Sequence, residues 1–178
     1  AFVTLPFYFH DVLGYSPTMT GLLMTPWPLA TAVAAPVAGR LADKYSPIRL
    51  TGLGMMVFAV GLYAVTFVPA GESYGGIIAA LAICGIGFGL FQAPNNRLML
   101  TSAPRERSGG ASGMLSTARL TGQSVGAALA AILIGTGTSF DFDTIMMVAS
   151  GAALTSALIC EGRRHALRTG RITSPASL

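Results

Sequence analysis

The sequence predicts an all-α, polytopic membrane protein, and three observations support that prediction. Only 10% of the residues are charged, whereas soluble domains average about 25%. Hydrophobic residues make up 52% of the chain. Apolar runs near the length of about 20 residues that a spanning helix needs recur along the chain, and turn residues or charges fill the gaps between them. A protein surface with so little charge is suited to lipid rather than to water.

The apolar runs predict five full transmembrane helices plus the end of one truncated helix. The chain begins inside an apolar run that has no charged leader and no cleavage site, so a signal peptide is not predicted. We expect the beginning of that first helix to be missing from this sequence. We expect a transmembrane bundle over 1–162 and a polar, disordered cytoplasmic tail over 163–178. The predicted segments are 1–13, 17–42, 48–68, 74–100, 108–135 and 142–162.

Basic residues mark the cytoplasmic ends of spans, and here they fall in alternate gaps. The intervening gaps hold His10 and four acids but no lysine or arginine. This alternation predicts a cytoplasmic C-terminus. It also indicates that the net charge of +4 reflects membrane orientation rather than a nucleic-acid partner. Ten of the eleven basic residues lie on this one side, in the gaps, at the helix ends beside them or in the tail, and the eleventh, Arg119, lies deep inside a predicted span; the ten are Arg40, Lys44, Arg49, Arg97, Arg105, Arg107, Arg163, Arg164, Arg168 and Arg171.

The second predicted helix contains three prolines, namely Pro26, Pro28 and Pro36. An interior proline removes a helix hydrogen bond and bends the helix. Broken or bent helices are common in transporters, although prolines are frequent in membrane helices generally. Three prolines in one helix favour a helix that must bend, with a hinge at Pro26 and Pro28.

The fourth predicted helix has a small-residue pair followed by polar side chains. Gly85 and Gly89 are spaced so that a neighbouring helix can approach closely. Gln92, Asn95 and Asn96 follow at offsets that place them near one helical face. This polar face either lines a water-filled cavity or makes hydrogen bonds to a neighbouring helix near the membrane surface, and the sequence leaves both open.

The fifth predicted helix carries a polar stripe and further small residues. Ser112, Ser116, Arg119 and Gln123 follow one another at offsets of four, three and four, which is the spacing of one helical face. The pattern predicts close packing against neighbouring helices and a polar face turned away from lipid. The small residues are Gly109, Gly113, Gly122 and Gly126.

Arg119 lies about 16 Å along this helix from Ser108, at 1.5 Å per residue. A charge at that depth is costly and points to a functional role. Arg119 either faces a cavity or extends its side chain to the cytoplasmic headgroups. No acid of the sequence is predicted at matching depth, so a partner of Arg119 would be a substrate, water or a residue from outside this chain.

No catalytic or metal-binding pattern emerges. His10 and His165 are isolated, and Cys84 and Cys160 each lie in an apolar run without metal-ligand spacing. No nucleophile–base pair or paired carboxylates are recognisable, so we expect no enzyme, no catalytic residues, no metal and no organic cofactor.

The stretch "GRLADKYSPIR" resembles the cytoplasmic signature of the major facilitator superfamily, as it recurs in the C-terminal half of these permeases. Gly39, Leu41, Ala42, Asp43 and Lys44 match the signature, and so does Arg49 in its basic end, whereas Pro47 departs from it. The stretches "LPFYFHDVLGYSPTMTGLLMTPWPLA", "GLFQAPNNRLM" and "ASGMLSTARLTGQSVGAAL" resemble more specifically the drug:proton antiporters of the EmrB/QacA type, such as methyl-viologen resistance permeases. The resemblance covers the whole chain.

The resemblance implies two six-helix bundles that rock about a central site in a bacterial inner membrane. This chain would be the second bundle of a major facilitator fold, and its partner would be the missing N-terminal half. The implied function is efflux of amphipathic, often cationic drugs in exchange for protons, with the proton-coupling acids mainly in the absent half. The rivals are a non-transporting scaffold or sensor, and a transporter of a different small solute.

Site residues follow from that hypothesis. Asp43 lies close to the start of the third predicted helix, whose positive N-terminal end could attract it. The expected cytoplasmic gate comprises Gly39, Arg40, Asp43, Lys44 and Arg49. The expected cavity lining comprises Gln92, Asn95, Asn96, Ser116, Arg119 and Gln123. The expected packing and hinge residues are Pro26, Pro28, Pro36, Gly85, Gly89, Gly122 and Gly126.

Overall fold

The computed structural model describes residues 4–67, 74–101, 104, 108–135 and 142–168. Every regular element in these ranges is a helix, which confirms the predicted all-α class. The elements are α1 (Thr4–Phe7), a π-helical segment (Tyr8–Val12), α2 (Pro17–Met24), α3 (Pro26–Lys44), α4 (Pro47–Thr66), α5 (Tyr74–Thr101), α6 (Ser108–Gly135) and α7 (Phe142–Arg168).

Four helical stretches within the described residues are long and apolar enough to cross a membrane. They are Pro17–Lys44, Pro47–Thr66, Tyr74–Thr101 and Thr144–Gly162. The fifth predicted span, α6, has 28 residues. Its described part is less apolar than the other four, since serine, threonine, glutamine and arginine side chains run along it.

The second predicted helix is divided at Thr25, directly before Pro26. Pro26 and Pro28 have no backbone N–H, so the carbonyls of Leu22 and Met24 lose their usual partners. The Thr25 N–H compensates by donating to the carbonyls of Gly21 and Leu22, at 3.1 Å and 3.2 Å. Thr25 itself keeps helical backbone angles, with φ −60° and ψ −36°, so the hydrogen bonding is interrupted at the expected hinge without an unwound turn. Pro36 is accommodated inside the continuous α3.

Helix α5 is the centre of the bundle, packed between α3 and α4, and α7 covers the other side of α4. Glycines make this packing close. An alanine methyl at Gly85 would overlap the Trp27 carbonyl of α3, and one at Gly89 would lie 2.8 Å from Ala34 Cβ. On the other side of α5, a methyl at Gly87 would overlap the backbone of α4, and a methyl at Gly54 of α4 would overlap the backbone of α5.

One side-chain hydrogen bond reinforces the contact between α3 and α5. Thr31 Oγ1 lies 2.9 Å from the carbonyl oxygen of Trp27 in its own helix and 3.1 Å from that of Gly85 in α5. We expect Thr31→Val to lower the thermal unfolding midpoint by a few degrees, because interhelical hydrogen bonds in membranes contribute about 0.6 kcal/mol on average.

Thermal unfolding of the purified protein in detergent checks this prediction. Thr155→Val is the matched control, because Thr155 Oγ1 bonds only the carbonyl of Gly151 in its own helix, at 2.8 Å. Equal shifts in the two variants would contradict an interhelical role for Thr31.

Helix α6 differs from its prediction. Nearly all of its described side chains are exposed, with Ala130 as the buried exception. No heavy atom of the described residues lies within 4 Å of a methyl built at Gly109, Gly113, Gly122 or Gly126. The close packing expected at these glycines is therefore absent from the described part of the chain, where the main neighbour of α6 is α5.

The two ends of the described chain also differ from the predicted boundaries. The first segment is a short α-helix continued by a π-helical turn, and Ser16 caps the next helix by accepting from the Met19 N–H at 3.3 Å. At the other end, α7 continues to Arg168 rather than stopping at Gly162. Most of the predicted tail, 169–178, lies outside the described residues.

Candidate functional site

Two cross-helix polar contacts define the candidate site, and α5 contributes to both. The first joins the end of α3 to the end of α5. Asp43 is the penultimate residue of α3, and Arg97 lies one turn before α5 ends. Arg97 Nη1 donates to Asp43 Oδ1 at 2.5 Å. Both side chains are about half exposed, at 61% for Asp43 and 52% for Arg97, so water screens this ion pair.

This contact changes the interpretation of Asp43. The sequence suggested an interaction with the N-terminal end of the following helix, α4, whereas the charged partner of Asp43 is Arg97 on α5. Sequence reasoning treated Arg97 only as an orientation signal. Its location at the same predicted membrane face as Asp43, with opposite charge, was the available hint of a pair.

The other signature residues form no ion pair among the described residues. Arg40, Lys44 and Arg49 have exposed side chains, and Gly39 is half-buried with open space where a methyl would lie. The turn that holds them is short because Lys44 ends α3 and Pro47 begins α4. A proline at the first helical position is favoured, since it has no N–H to leave unsatisfied.

The second contact joins α5 to α6 and includes the arginine within the span. The side-chain amide of Gln92 lies against the guanidinium of Arg119, and the amide orientation that satisfies both groups places Oε1 toward the guanidinium. In that orientation Oε1 accepts from Nη1 and Nη2 of Arg119, at 3.2 Å and 3.1 Å. Gln92 lies about 14 Å from the end of α5 and Arg119 about 16 Å from the start of α6, so their depths match.

The other polar candidates extend this pair along the two helices. Asn95 and Asn96 are half-buried on α5, one turn beyond Gln92. Ser116 and Gln123 are exposed on α6, one turn to either side of Arg119. The structure thus brings Gln92 and Arg119 into contact, and it leaves Ser116 and Gln123 open on the same stripe.

Two apolar grooves lie elsewhere in the described part of the bundle. One of about 590 Å³ lies between α3 and α5, and its wall includes Pro26, Val33 and Ile86. Another of about 390 Å³ lies between α4 and α7, beside Tyr63 and Leu154. None of the six predicted cavity residues lines either groove.

The described residues hold no group of three or more histidine, cysteine, aspartate or glutamate side chains that could bind a metal ion. Cys84 is buried against the backbone of Gly61, and Cys160 is half-buried. Both thiols are free, and both lie where helices pack against each other.

A helical bundle with several spans, a charged signature at one end and a polar contact inside the membrane is typical of secondary transporters. The family model described as Major Facilitator Superfamily matches residues 1–173. The chain belongs to the major facilitator superfamily. It is an all-α, multi-pass membrane chain from a family of transporters.

Three relatives illustrate the range of the family. The chain is 48% identical to an uncharacterized transporter, YebQ, of Escherichia coli over 99% of this chain and 37% of that protein. It is 34% identical to the multidrug resistance protein Stp of Mycobacterium tuberculosis over 68% of this chain and 22% of that protein. It is 32% identical to the riboflavin transporter RibZ of Clostridioides difficile over 65% and 25%, respectively. The chain therefore spans well under half the length of these relatives, and no solved structure matches it.

Proposed function

We propose that this chain is the second helical bundle of a proton-coupled efflux permease of the EmrB/QacA type, which exports small amphipathic drugs by alternating access. The complete permease would pair it with an N-terminal bundle in the bacterial inner membrane, with the C-terminus in the cytoplasm. The multidrug resistance protein among its relatives and the three motif stretches support the subfamily.

The Asp43–Arg97 ion pair is the observation that carries the proposal. It ties together the ends of two helices whose relative movement would open one end of the bundle. An exposed ion pair contributes about 0–1 kcal/mol. A contact of that size favours one arrangement of the helices and still breaks during each cycle, as a gate requires.

We expect Asp43→Asn to reduce proton-gradient-dependent dye efflux up to about fivefold in the complete permease, the factor that corresponds to about 1 kcal/mol, with membrane abundance nearly unchanged. The asparagine keeps the shape of the side chain but loses the charge that Arg97 binds. Because the ion pair is half exposed, its loss costs the fold about 1 kcal/mol at most. Efflux from inverted membrane vesicles, normalised to abundance, is the measurement.

A charge exchange separates a gate from a folding role. We expect the double variant of Asp43→Arg with Arg97→Asp to recover part of the efflux that either single change removes. Equal fractional losses of efflux and abundance in Asp43→Asn would indicate folding instead. Efflux that does not depend on the proton gradient would contradict proton coupling.

A second candidate is a transporter of a different small solute, and the riboflavin transporter among the relatives favours it. Transport of two solutes separates the candidates: a permease dedicated to flavins would move riboflavin and no drug-like dye, whereas a drug exporter would move the dye. A scaffold or sensor, the remaining alternative, would bind without moving any solute across the membrane.

A further inference from the structure

The Gln92–Arg119 contact carries a positive charge into the membrane span, and that charge has a consequence for the substrate. We propose that these two residues form a subsite for a carboxylate, so that the transported compound is an amphipathic anion or zwitterion rather than a simple cation. This inference rests on the proposed transport function and names the substrate class of its site.

The first argument is charge. The partner of Arg119 is the neutral amide of Gln92, and among the described residues no acidic side chain forms an ion pair with Arg119. Asp43 forms its ion pair with Arg97, at the end of the bundle. A guanidinium that none of the described acids neutralises attracts anions and repels cations at this depth, because the surroundings have a low dielectric constant.

The second argument is hydrogen bonding. A guanidinium has five N–H donors, and Gln92 Oε1 accepts from Nη1 and Nη2 only. The remaining donors form a planar fork that fits a carboxylate with two parallel hydrogen bonds. Gln92 holds the fork in place, so less side-chain freedom is lost when a ligand binds.

The third argument is access. Arg119, Ser116 and Gln123 are all exposed along one stripe of α6. The hydroxyl and amide on either side of Arg119 offer further hydrogen bonds to an oxygen-rich group. The resemblance to drug exporters implied cationic compounds, and the guanidinium argues against them at this site because like charges in a low dielectric repel.

A matched pair of dyes tests the subsite. A rhodamine carboxylate and its methyl ester share one xanthene ring system and differ in the free carboxylate. Binding to the complete permease in nanodiscs is measured by fluorescence anisotropy at neutral pH. We expect the carboxylate to bind about tenfold more tightly than the ester, which is the size of a charge-assisted hydrogen-bond contribution.

Variants at the two residues assign that preference. Arg119→Gln is expected to equalise the two dyes by weakening the carboxylate alone, and Arg119→Lys to restore part of the preference. Gln92→Glu adds an acid against the guanidinium and is expected to remove the preference without removing Arg119. Thr117→Val is the control, because Thr117 lies on the other side of α6 and bonds the Gly113 carbonyl of its own helix.

Tighter or equal binding of the ester to the unmodified permease overturns the subsite, and so does failure of both dyes to bind. Equal weakening of both dyes in Arg119→Gln overturns it as well, since a structural role predicts that result. Binding in nanodiscs needs no proton gradient, so a permease that prefers the carboxylate but moves no dye would contradict the transport function alone. A permease that exports only cations would contradict the subsite alone.

Discussion

Gly85→Ala is expected to lower the stability of the bundle sharply, whereas Gly122→Ala is expected to leave it unchanged. A methyl at Gly85 would overlap the carbonyl oxygen of Trp27 and lie 2.8 Å from Ala30 Cβ. Backbone atoms cannot move aside as a flexible side chain can, so α5 would have to move away from α3. Such overpacking costs typically about 1–3 kcal/mol, and separating the helices also breaks the hydrogen bond from Thr31 to Gly85.

Gly122 is the matched control for this change, because both glycines lie inside long helices. No heavy atom of the described residues lies within 4 Å of a methyl at Gly122. Thermal unfolding and the monodisperse fraction after detergent extraction are the measurements. We expect Gly85→Ala to lower both and Gly122→Ala to match the unmodified protein. A loss at Gly122 as large as that at Gly85 would contradict the difference in packing between α5 and α6.

These glycines also show how far a small-residue pattern predicts packing. The spacing of Gly85 and Gly89 predicted a close helix contact, and α5 does approach α3 at both positions. The pattern did not identify the neighbour, nor did it assign a role to Gly87, which meets Phe58 of α4. An offset of two residues turns a helix by about 200°, so Gly87 faces a different helix from Gly85.

The same spacing in α6 predicted contacts that the described chain does not contain. A small residue permits close approach, but the approach itself depends on which surfaces the other helices present. The positions of those surfaces depend on the tertiary arrangement, and among the described residues the main neighbour of α6 is α5. Composition and apolar length, in contrast, are sufficient to predict an all-α membrane chain, because the bilayer imposes them on each helix separately.

The polar contacts of the site were predictable as separate residues and not as pairs. Gln92 and Arg119 each lay on a polar stripe, and their contact depends on how α5 and α6 rotate against each other. Asp43 and Arg97 are 54 residues apart in sequence. The alternation of basic gaps places several charges at one membrane face, so Asp43 has several possible partners there. The packing of α3 on α5 is what brings Arg97 to it.

Arg119→Ala is expected to reduce efflux by the complete permease at least tenfold while its membrane abundance stays the same or rises. A charge at the centre of a span costs about 2.5–3.5 kcal/mol on insertion scales. Replacing it by alanine removes that cost, and the described packing loses little because the Arg119 side chain is exposed.

The alternative is that Arg119 only extends to the headgroups, as long basic side chains do. The contact with Gln92 at 3.2 Å and 3.1 Å argues against it, because Gln92 lies at similar depth on α5 rather than at the membrane surface. The two readings predict different results for Arg119→Lys. A headgroup anchor is fully replaced by lysine, whereas a planar fork held by an amide is not, since lysine cannot form two parallel hydrogen bonds to one carboxylate.

We therefore expect Arg119→Lys to recover only part of the efflux lost in Arg119→Ala. Initial efflux rates, normalised to abundance in the membrane, are compared for the unmodified permease and both variants. The efflux rate of Gln92→Met should fall between those of the unmodified permease and Arg119→Ala. This change leaves the guanidinium charged but removes the oxygen that orients it. Unchanged efflux in Arg119→Ala, or full efflux in Arg119→Lys, would reduce Arg119 to an anchoring residue and leave the ion pair of Asp43 with Arg97 as the remaining functional contact of this bundle.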